Sequence, residues 1–355
     1  MTTVPATATA VVPVRLRFSW VGLGCAAVVV AGLLGVALGP VSINPGRTLA
    51  ELLDRLPLID VDSGLSERHA NIVWELRLPR VVLAMLVGGM LTISGASYQG
   101  VFRNPLADPY LLGAAAGAGL GVTIVIVNGY ERTGSIFDAL PLAAFVGAMG
   151  AALLAYALGA AGGRVRTPAT LVLAGVAVMS FLTAIQTYLQ QRNADTIREV
   201  YMFILGRLTT AGWDEVWILM PYFVFTSALL LAHRRVLDVL AVGDQEATAL
   251  GVPVTRVRLV IVVGASLATA AAVSVSGLIG FVGIIVPHTI RLIAGTSYRV
   301  ILPLSLLFGG AFLTIADLVA RTILSPAEVP IGVVTAFFGA PFFVAVLRTS
   351  RGSVG

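Results

Sequence analysis

The sequence predicts an all-α fold, a polytopic membrane protein of about ten transmembrane helices with inverted internal repeats. Three observations carry that expectation. Hydrophobic residues make up 57% of the 355 and charged residues only 12%, about half the charged share usual in soluble chains. Mean hydropathy is +0.94, and apolar runs of membrane-spanning length recur from end to end. The 38 glycines and 17 prolines would weaken soluble helices, but membrane helices tolerate both because their neighbours re-satisfy the freed backbone groups. A soluble enzyme is excluded.

The elements follow in order. Residues 1–14 are small, polar and Pro-containing, and read as a disordered N-terminus. Arg15 and Arg17 then precede an apolar run from Phe18 to Gly39. Its 22 residues exceed the about 7–15 of a signal-peptide core, and further spans follow, so it reads as an uncleaved first helix. Windows of about 20 residues then place spans at 18–39, 81–101, 111–128, 139–160, 169–190, 215–232, 256–275, 279–295, 301–320 and 330–347. The eighth is interrupted by His288 and Arg291. Ten spans leave both termini on one side. With the N-terminus inside, 13 of the 23 arginines fall in cytoplasmic segments, among them Arg164, Arg166, Arg234 and Arg235, and 13 of the 18 acidic residues fall outside. Arginine is densest in the short inner loops, which weigh most in the positive-inside rule.

Internal symmetry is visible in small motifs. Ser94-Gly95 recurs as Ser276-Gly277, and Pro141-Leu142, Gly147 and Pro168 recur as Pro303-Leu304, Gly309 and Pro330. Residues 77–190 and 256–347 therefore read as related halves of one permease domain spanning 1–355. Five spans separate corresponding members, an odd number, so the halves have opposite orientation, as in many transporters. Chance matching of Gly and Pro in so biased a composition is the competing reading.

Two counts bound the chemistry. Every basic residue is Arg and there is no Lys, so the chain has no Walker A loop, which needs a Lys to reach nucleotide phosphates. Any dependence on ATP must come from a partner. The single Cys25 allows no intrachain disulfide and no Cys-based metal cluster, and reads as a packed core thiol. The net charge of +5 is spread over short loops, which points to membrane topology and not to nucleic acid.

Six segments occur in an order that resembles a known family. They are Glu75-Leu-Arg-Leu-Pro-Arg80; Gln99-Gly-Val-Phe-Arg-Asn-Pro-Leu-Ala-Asp-Pro109 with Leu112-Gly113; Ala249-Leu-Gly-Val-Pro253; Gly280-Phe-Val-Gly-Ile-Ile-Val-Pro-His288 with Arg291; Ala316-Asp-Leu-Val-Ala-Arg321; and Val329-Pro-Ile-Gly-Val-Val-Thr335 with Gly339-Ala-Pro341. Together, over about residues 70–347, they resemble the permease subunit of type II ATP-binding-cassette importers for iron-siderophore complexes, haem and cobalamin. The resemblance implies a non-enzymatic translocation subunit in a bacterial inner membrane, with both termini cytoplasmic. It further implies a homodimer with two ATPase subunits inside and one substrate-binding protein outside. ATP and Mg would be held by the ATPase, with no cofactor in this chain. A ferric siderophore is the expected cargo, with haem and cobalamin as alternatives. An ion-coupled secondary carrier is the rival class, although such carriers usually need a buried carboxylate or His chain for the coupling ion, and Asp317, the candidate here, lies near a span end with Arg321 beside it.

The resemblance also assigns residues. Leu237, Leu240, Gly243, Ala249, Leu250 and Gly251 fall in the segment 237–251, which reads as two short helices with a Gly turn and a Gly stop. In the family this is the ATPase coupling segment; the alternative is an amphipathic loop lying on the bilayer. Arg77, Arg80 and Arg321 match arginines that meet carboxylates of the binding protein, a chemistry suited to the planar guanidinium fork. Snorkelling is the alternative for the first two. For Arg321 it is neutralisation by Asp317 four residues earlier on the same helix face. Asn104, Leu106, Pro168 and Ala169 match the cytoplasmic gate, although the stretch Thr167-Pro168-Ala169-Thr170 departs from the family's small hydroxyl residues. Asn104 also suits a turn, and Pro168 a first helical turn. His288 lacks a second ligand at helical spacing, so no metal or haem site is expected and structural hydrogen bonding near Arg291 is. Tyr98, Gln99, Tyr188, Gln190 and Gln191 are open to two readings, a central passage or helix packing.

Overall fold

A computed structural model describes residues 16–55, 61–129, 138–161, 168–208 and 212–351. The N-terminal stretch 1–14 and the inner-loop Arg164, Arg166 and Thr167 lie outside the described residues. Those described form helices and loops with no strand. In chain order the helices are α1 (Phe18–Ala37), α2 (Pro45–Asp54), α3 (Glu67–Asn71), α4 (Leu78–Phe102), α5 (Ala114–Val127), α6 (Ala139–Ala161), α7 (Pro168–Arg192), α8 (Ile197–Ile204), α9 (Trp213–Ala232), α10 (Arg234–Val242), α11 (Asp244–Ala249), α12 (Val254–Ser276), α13 (Val282–Ala294), α14 (Tyr298–Thr322) and α15 (Ile331–Arg351). A π-helical turn at Ile72–Arg77 joins α3 to α4, so that helix is continuous from Glu67 to Phe102.

Each of the ten expected spans falls on a helix. Seven helices among the described residues are long and apolar enough to cross a membrane: α1, the α3–α4 rod, α6, α7, α9, α12 and α14. The other three expected spans fall on shorter apolar helices, α5, α13 and Ile331–Val344 of α15. The sequence reading missed α2, α3 and α8, which lie between spans. Of these, α2 carries a legible start signal: Asn44 accepts from the backbone N–H of Gly46 at 2.9 Å, and Pro45 occupies the first helical position, where its missing N–H costs nothing.

Helix α4 lies at the centre. Nearly all of it is buried, from Pro79 to Phe102, against α9, α12, α13 and α14. Lipid provides no hydrophobic drive between helices, so close approach through small residues has to hold them. Added Cβ atoms show how close the approach is. One on Gly88 would lie 2.3 Å from the carbonyl oxygen of Gly309, and one on Gly95 2.1 Å from that of Gly283. Gly117 of α5 and Gly147 of α6 face each other in the same way, each 2.1 Å from the other's carbonyl. Thr92, midway along α4, donates its hydroxyl towards the Ser305 carbonyl of α14 at 2.7 Å.

Two long helices stop within the bundle and hand over to short ones. Residues 103–113 connect α4 to α5, and 277–281 connect α12 to α13. Left-handed residues make both turns: Arg103 at φ 50° and Gly113 at φ 81° in the first, Gly277 and Phe281 at φ 69° in the second. The two connections touch, because the Tyr110 hydroxyl donates to the Ile279 carbonyl at 3.1 Å and accepts from its N–H at 3.0 Å.

Two expectations are corrected. Cys25 is not a packed thiol but is exposed on α1, on a helix buried mainly at Gly24, Ala31, Gly35 and Val36. His288 does not gain the expected structural hydrogen bond at Nδ1, which is buried without a partner; its ring instead meets Phe342 edge-on at 5.7 Å.

Candidate functional site

Polar chemistry collects at the two ends of α4. At its start, Arg77, Arg80 and Arg321 form one cluster, and each guanidinium is engaged within the chain. Arg77 is 4% exposed and donates to the carbonyls of Val36 and Ala37, both at 3.0 Å, and to that of Val41. It thereby satisfies the carbonyls that the end of α1 leaves open. Arg321, 2% exposed, donates to the carbonyl of Gly35, the residue before Val36. Both arginines thus fasten α1 to the bundle.

Arg80 has a different set of partners. Its Nε and Nη2 meet Asp317 at 3.1 and 2.8 Å, while Nη1 and Nη2 meet Glu328 at 2.9 and 3.0 Å. The fork is bidentate on both carboxylates, the strongest geometry open to Arg. Asp317 is also 3.5 Å from the Nε of Arg321, so the expected neutralisation on one helix face is present, but Arg80 is the nearer cation. Glu328, which the sequence reading did not single out, keeps 28% of its side chain exposed. It precedes Pro330 at the start of α15, where no periodic pattern could mark it.

The segment 237–251 lies at the other end of α4. It forms α10 and α11, with Gly243 between them and Gly251, at φ 81°, ending the second. The residues assigned to coupling divide in two. Leu237 and Leu240 are 0% and 1% exposed and anchor α10; a Cβ on Gly100 of α4 would lie 2.8 Å from Leu237. Gly243 is buried, whereas Ala249, Leu250 and Gly251 are exposed. Leu250 and Val242, the latter missed in sequence, are 72% and 71% exposed, an apolar tip made of Val242 beside the joint between the two short helices and Leu250 just past the end of the second.

Polar side chains tie that tip to the spanning helices. Asp238 accepts from the Ser297 hydroxyl at 2.7 Å and the Tyr298 N–H at 2.5 Å, and pairs with Arg299 Nε at 3.3 Å. Asp244 receives Arg258 Nη2 at 2.9 and 3.1 Å and Arg103 Nη2 at 3.3 Å.

The residues assigned to the gate lie near this end. Asn104 is exposed, and its Oδ1 accepts from the Leu106 N–H at 2.9 Å; Leu106 is 38% exposed. Pro168 opens α7, and Ala169 is exposed. Among the passage candidates, Tyr98 and Gln99 belong to packing. The Tyr98 hydroxyl lies 2.6 Å from Ser266 Oγ, and Gln99 accepts from Arg291 at 2.9 Å while donating to the Gly283 carbonyl at 3.3 Å. Tyr188 is 57% exposed and Gln191 is exposed with it. Among the described residues no three His, Cys, Asp or Glu side chains group as a metal site would require.

Comparison with known proteins agrees with this architecture. The profile of the FecCD transport family matches residues 27–349. The cobalamin import system permease protein BtuC of Halobacterium salinarum is 44% identical over 285 residues, covering 80% of this chain and 75% of that one. The Fe(3+)-citrate import system permease protein YfmD of Bacillus subtilis is 35% identical over 312 residues, covering 87% and 90%. A solved inward-facing conformation of a metal-chelate type ABC transporter superposes with a TM-score of 0.79 at 28% identity, covering 94% of this chain and 99% of that one. Apolar helices of spanning length, a match over nearly the whole sequence and agreement in fold all lead to one assignment: the chain belongs to the FecCD transport family, and it is the multi-span membrane permease of an ABC importer.

Proposed function

We propose that the chain moves a ferric siderophore across a bacterial inner membrane as a homodimer, with two ATPase subunits inside and one substrate-binding protein outside. Ten spans would place both termini in the cytoplasm. ATP and Mg would be held by the ATPase, since this chain lacks the Lys of a phosphate-binding loop and is not itself catalytic.

The observation that carries the partner reading is the apolar tip of Val242 and Leu250, held out on two short helices of which α10 is anchored in the bundle by Leu237 and Leu240. Short helices presenting apolar side chains suit a groove on another protein. The reading of 77–190 and 256–347 as inverted halves is supported by helix lengths. The run α4 to α7 is 25, 14, 23 and 25 residues, and α12 to α15 is 23, 13, 25 and 21. Each half is thus long, short, long, long. At the opposite end, Arg80 and Glu328 are the parts of the arginine cluster that keep side-chain exposure, 13% and 28%. A docking carboxylate would meet Arg80 in exchange for Glu328, above a floor formed by Arg77 and Arg321. Asn104, Leu106, Pro168 and Ala169 would lie at the cytoplasmic gate.

Ferric chelates are preferred as cargo from the family resemblance and from the ferric citrate permease among the relatives. Cobalamin is the second reading, favoured by the 44% identity to a cobalamin permease. The complex reconstituted in liposomes with its ATPase and binding protein distinguishes them. Ferric hydroxamate or ferric citrate is expected to stimulate ATP hydrolysis and to accumulate. Stimulation by cyanocobalamin or haemin alone would replace the ferric reading, and uptake driven by an ion gradient without ATP would overturn both.

A further inference from the structure

We propose that Asp238 and Asp244 are positioning residues of the coupling segment, Asp238 tying α10 to the start of α14 and Asp244 tying α11 to α12 and the end of α4, with Gly243 as the joint between the two ties. The inference rests on the reading that this segment meets the ATPase.

The segment cannot hold its own orientation. With 9 and 6 residues, α10 and α11 are far below the length at which an isolated helix persists. Helix α10 is anchored by Leu237 and Leu240, but α11 buries only Ala247. Apolar packing therefore does not fix α11, and Asp244, its first residue, has to. That carboxylate takes a two-oxygen contact from Arg258, whose side chain is 6% exposed, and a third contact from Arg103. Arg258 belongs to α12, and Arg103 is the left-handed residue that ends α4. The Arg258 contact at 2.9 Å is short and directional and the Arg103 pair at 3.3 Å is a longer ionic one, so α11 moves with the start of α12 and is held towards the end of α4.

Asp238 performs the equivalent task for α10 with different chemistry. The first N–H groups of a helix have no partner within it. At α14 the Asp238 carboxylate supplies one, taking the Tyr298 N–H together with the Ser297 hydroxyl and Arg299. A displacement of α10 is thereby applied to the start of α14.

The two ties stand on either side of Gly243. Rotation of α11 against α10 at that joint would shift α12 relative to α14 and load α4, which meets α10 through Gly100 and Leu237, meets α11 through Arg103, and packs on α14 through Gly88 and Gly309. A push at the Val242 and Leu250 tip thus becomes relative movement in the bundle centre.

The test reads coupling, which a merely structural carboxylate would leave alone. Permease, ATPase and binding protein are reconstituted in liposomes with whichever of ferric citrate, ferric hydroxamate, haemin or cyanocobalamin the wild type imports. Asp238→Ala and Asp244→Ala complexes are expected to retain the ATPase on purification while substrate imported per ATP falls at least several-fold. Asp244→Glu should recover most of that ratio. An unchanged ratio in both alanine variants, or no recovery with glutamate, overturns the proposal. Should an alanine variant fail to assemble, spin labels on otherwise intact protein, with Cys25 replaced by Ser, decide the matter. The separation of labels at 245 and 255 should stay constant between nucleotide-free and ATP-bound complexes, while that between 245 and 235 changes; the reverse pattern overturns it. A wild-type chain that binds no ATPase would sink the underlying reading and this inference with it, whereas normal coupling in the variants sinks this inference alone.

Discussion

At the scale of single residues, Asp317 and Glu328 make similar contacts to Arg80 under different conditions. Asp317 keeps 2% of its side chain exposed and stands between two guanidinium groups, whereas Glu328 keeps 28%. Removing one partner from a buried charge network leaves uncompensated charge, at a cost of about 3–5 kcal/mol. An exposed pair contributes only about 0.2–1 kcal/mol. Asp317→Asn should therefore lower the thermal unfolding midpoint in detergent far more than Glu328→Gln; equal shifts would mean that Arg80 and Arg321 find other partners. For the docking role, Arg80→Ala should weaken capture of the binding protein, while Glu328→Gln, which frees one edge of the fork, should not. Half of this network was legible in sequence. The spacing of Asp317 and Arg321 gave their pairing, but the nearer cation lies 237 residues away. Arg77 was legible only as a basic residue near a membrane boundary, because its acceptors are backbone carbonyls 36 to 41 residues earlier and carry no side-chain signal.

At the scale of elements, glycine decides how closely helices approach. A methyl group at Gly95 would sit 2.1 Å from a backbone oxygen of α13, and neither helix can yield without moving its neighbours. Gly95→Ala should destabilise the fold by about 1–3 kcal/mol, the usual cost of overpacking. By contrast Gly150, whose added Cβ meets nothing within 4 Å, should accept alanine with no loss. Comparing the two variants by thermal unfolding in the same detergent checks the argument. Sequence windows located the apolar helices because each is apolar along most of its length. They averaged away α2 and α8, whose apolar residues share space with charges such as Arg47, Glu51, Arg198 and Glu199. Helices α10 and α11 were legible for the opposite reason: glycine punctuation at 243 and 251 marks them. Their exposed tip leads to a further expectation. Val242→Glu and Leu250→Glu should abolish co-purification of the ATPase while the permease still folds, because both side chains are more than two-thirds exposed. Undiminished co-purification would remove the tip from the interface.

At the scale of the whole molecule, the number of crossings depends on the short helices. Seven helices satisfy a spanning length and apolarity, while α5 and α13, with 14 and 13 residues, depend on their neighbours to complete a crossing. A 14-residue helix such as α5 rises only about 21 Å at 1.5 Å per residue, short of the roughly 30 Å hydrocarbon core. Residues 107–113, buried or half-buried ahead of α5, would supply the remaining depth, and backbone of that kind is tolerated at membrane depth only where protein buries it. Here Tyr110 closes it against Ile279. Sequence hydropathy could not distinguish such a broken crossing from a re-entrant one, since composition is the same in both. The single native cysteine makes the distinction measurable. In a Cys25→Ser background, cysteines at Arg68, Asn128 and Gln245, all exposed, can be probed with a membrane-impermeant maleimide on intact cells and on inverted vesicles. Ten crossings with both termini inside require the first two to react only from outside and the third only from within. If Asn128 reacts from the same side as Gln245, α5 returns without crossing. The permease then has fewer spans than its two-part pattern demands, and the inverted-repeat reading fails with it.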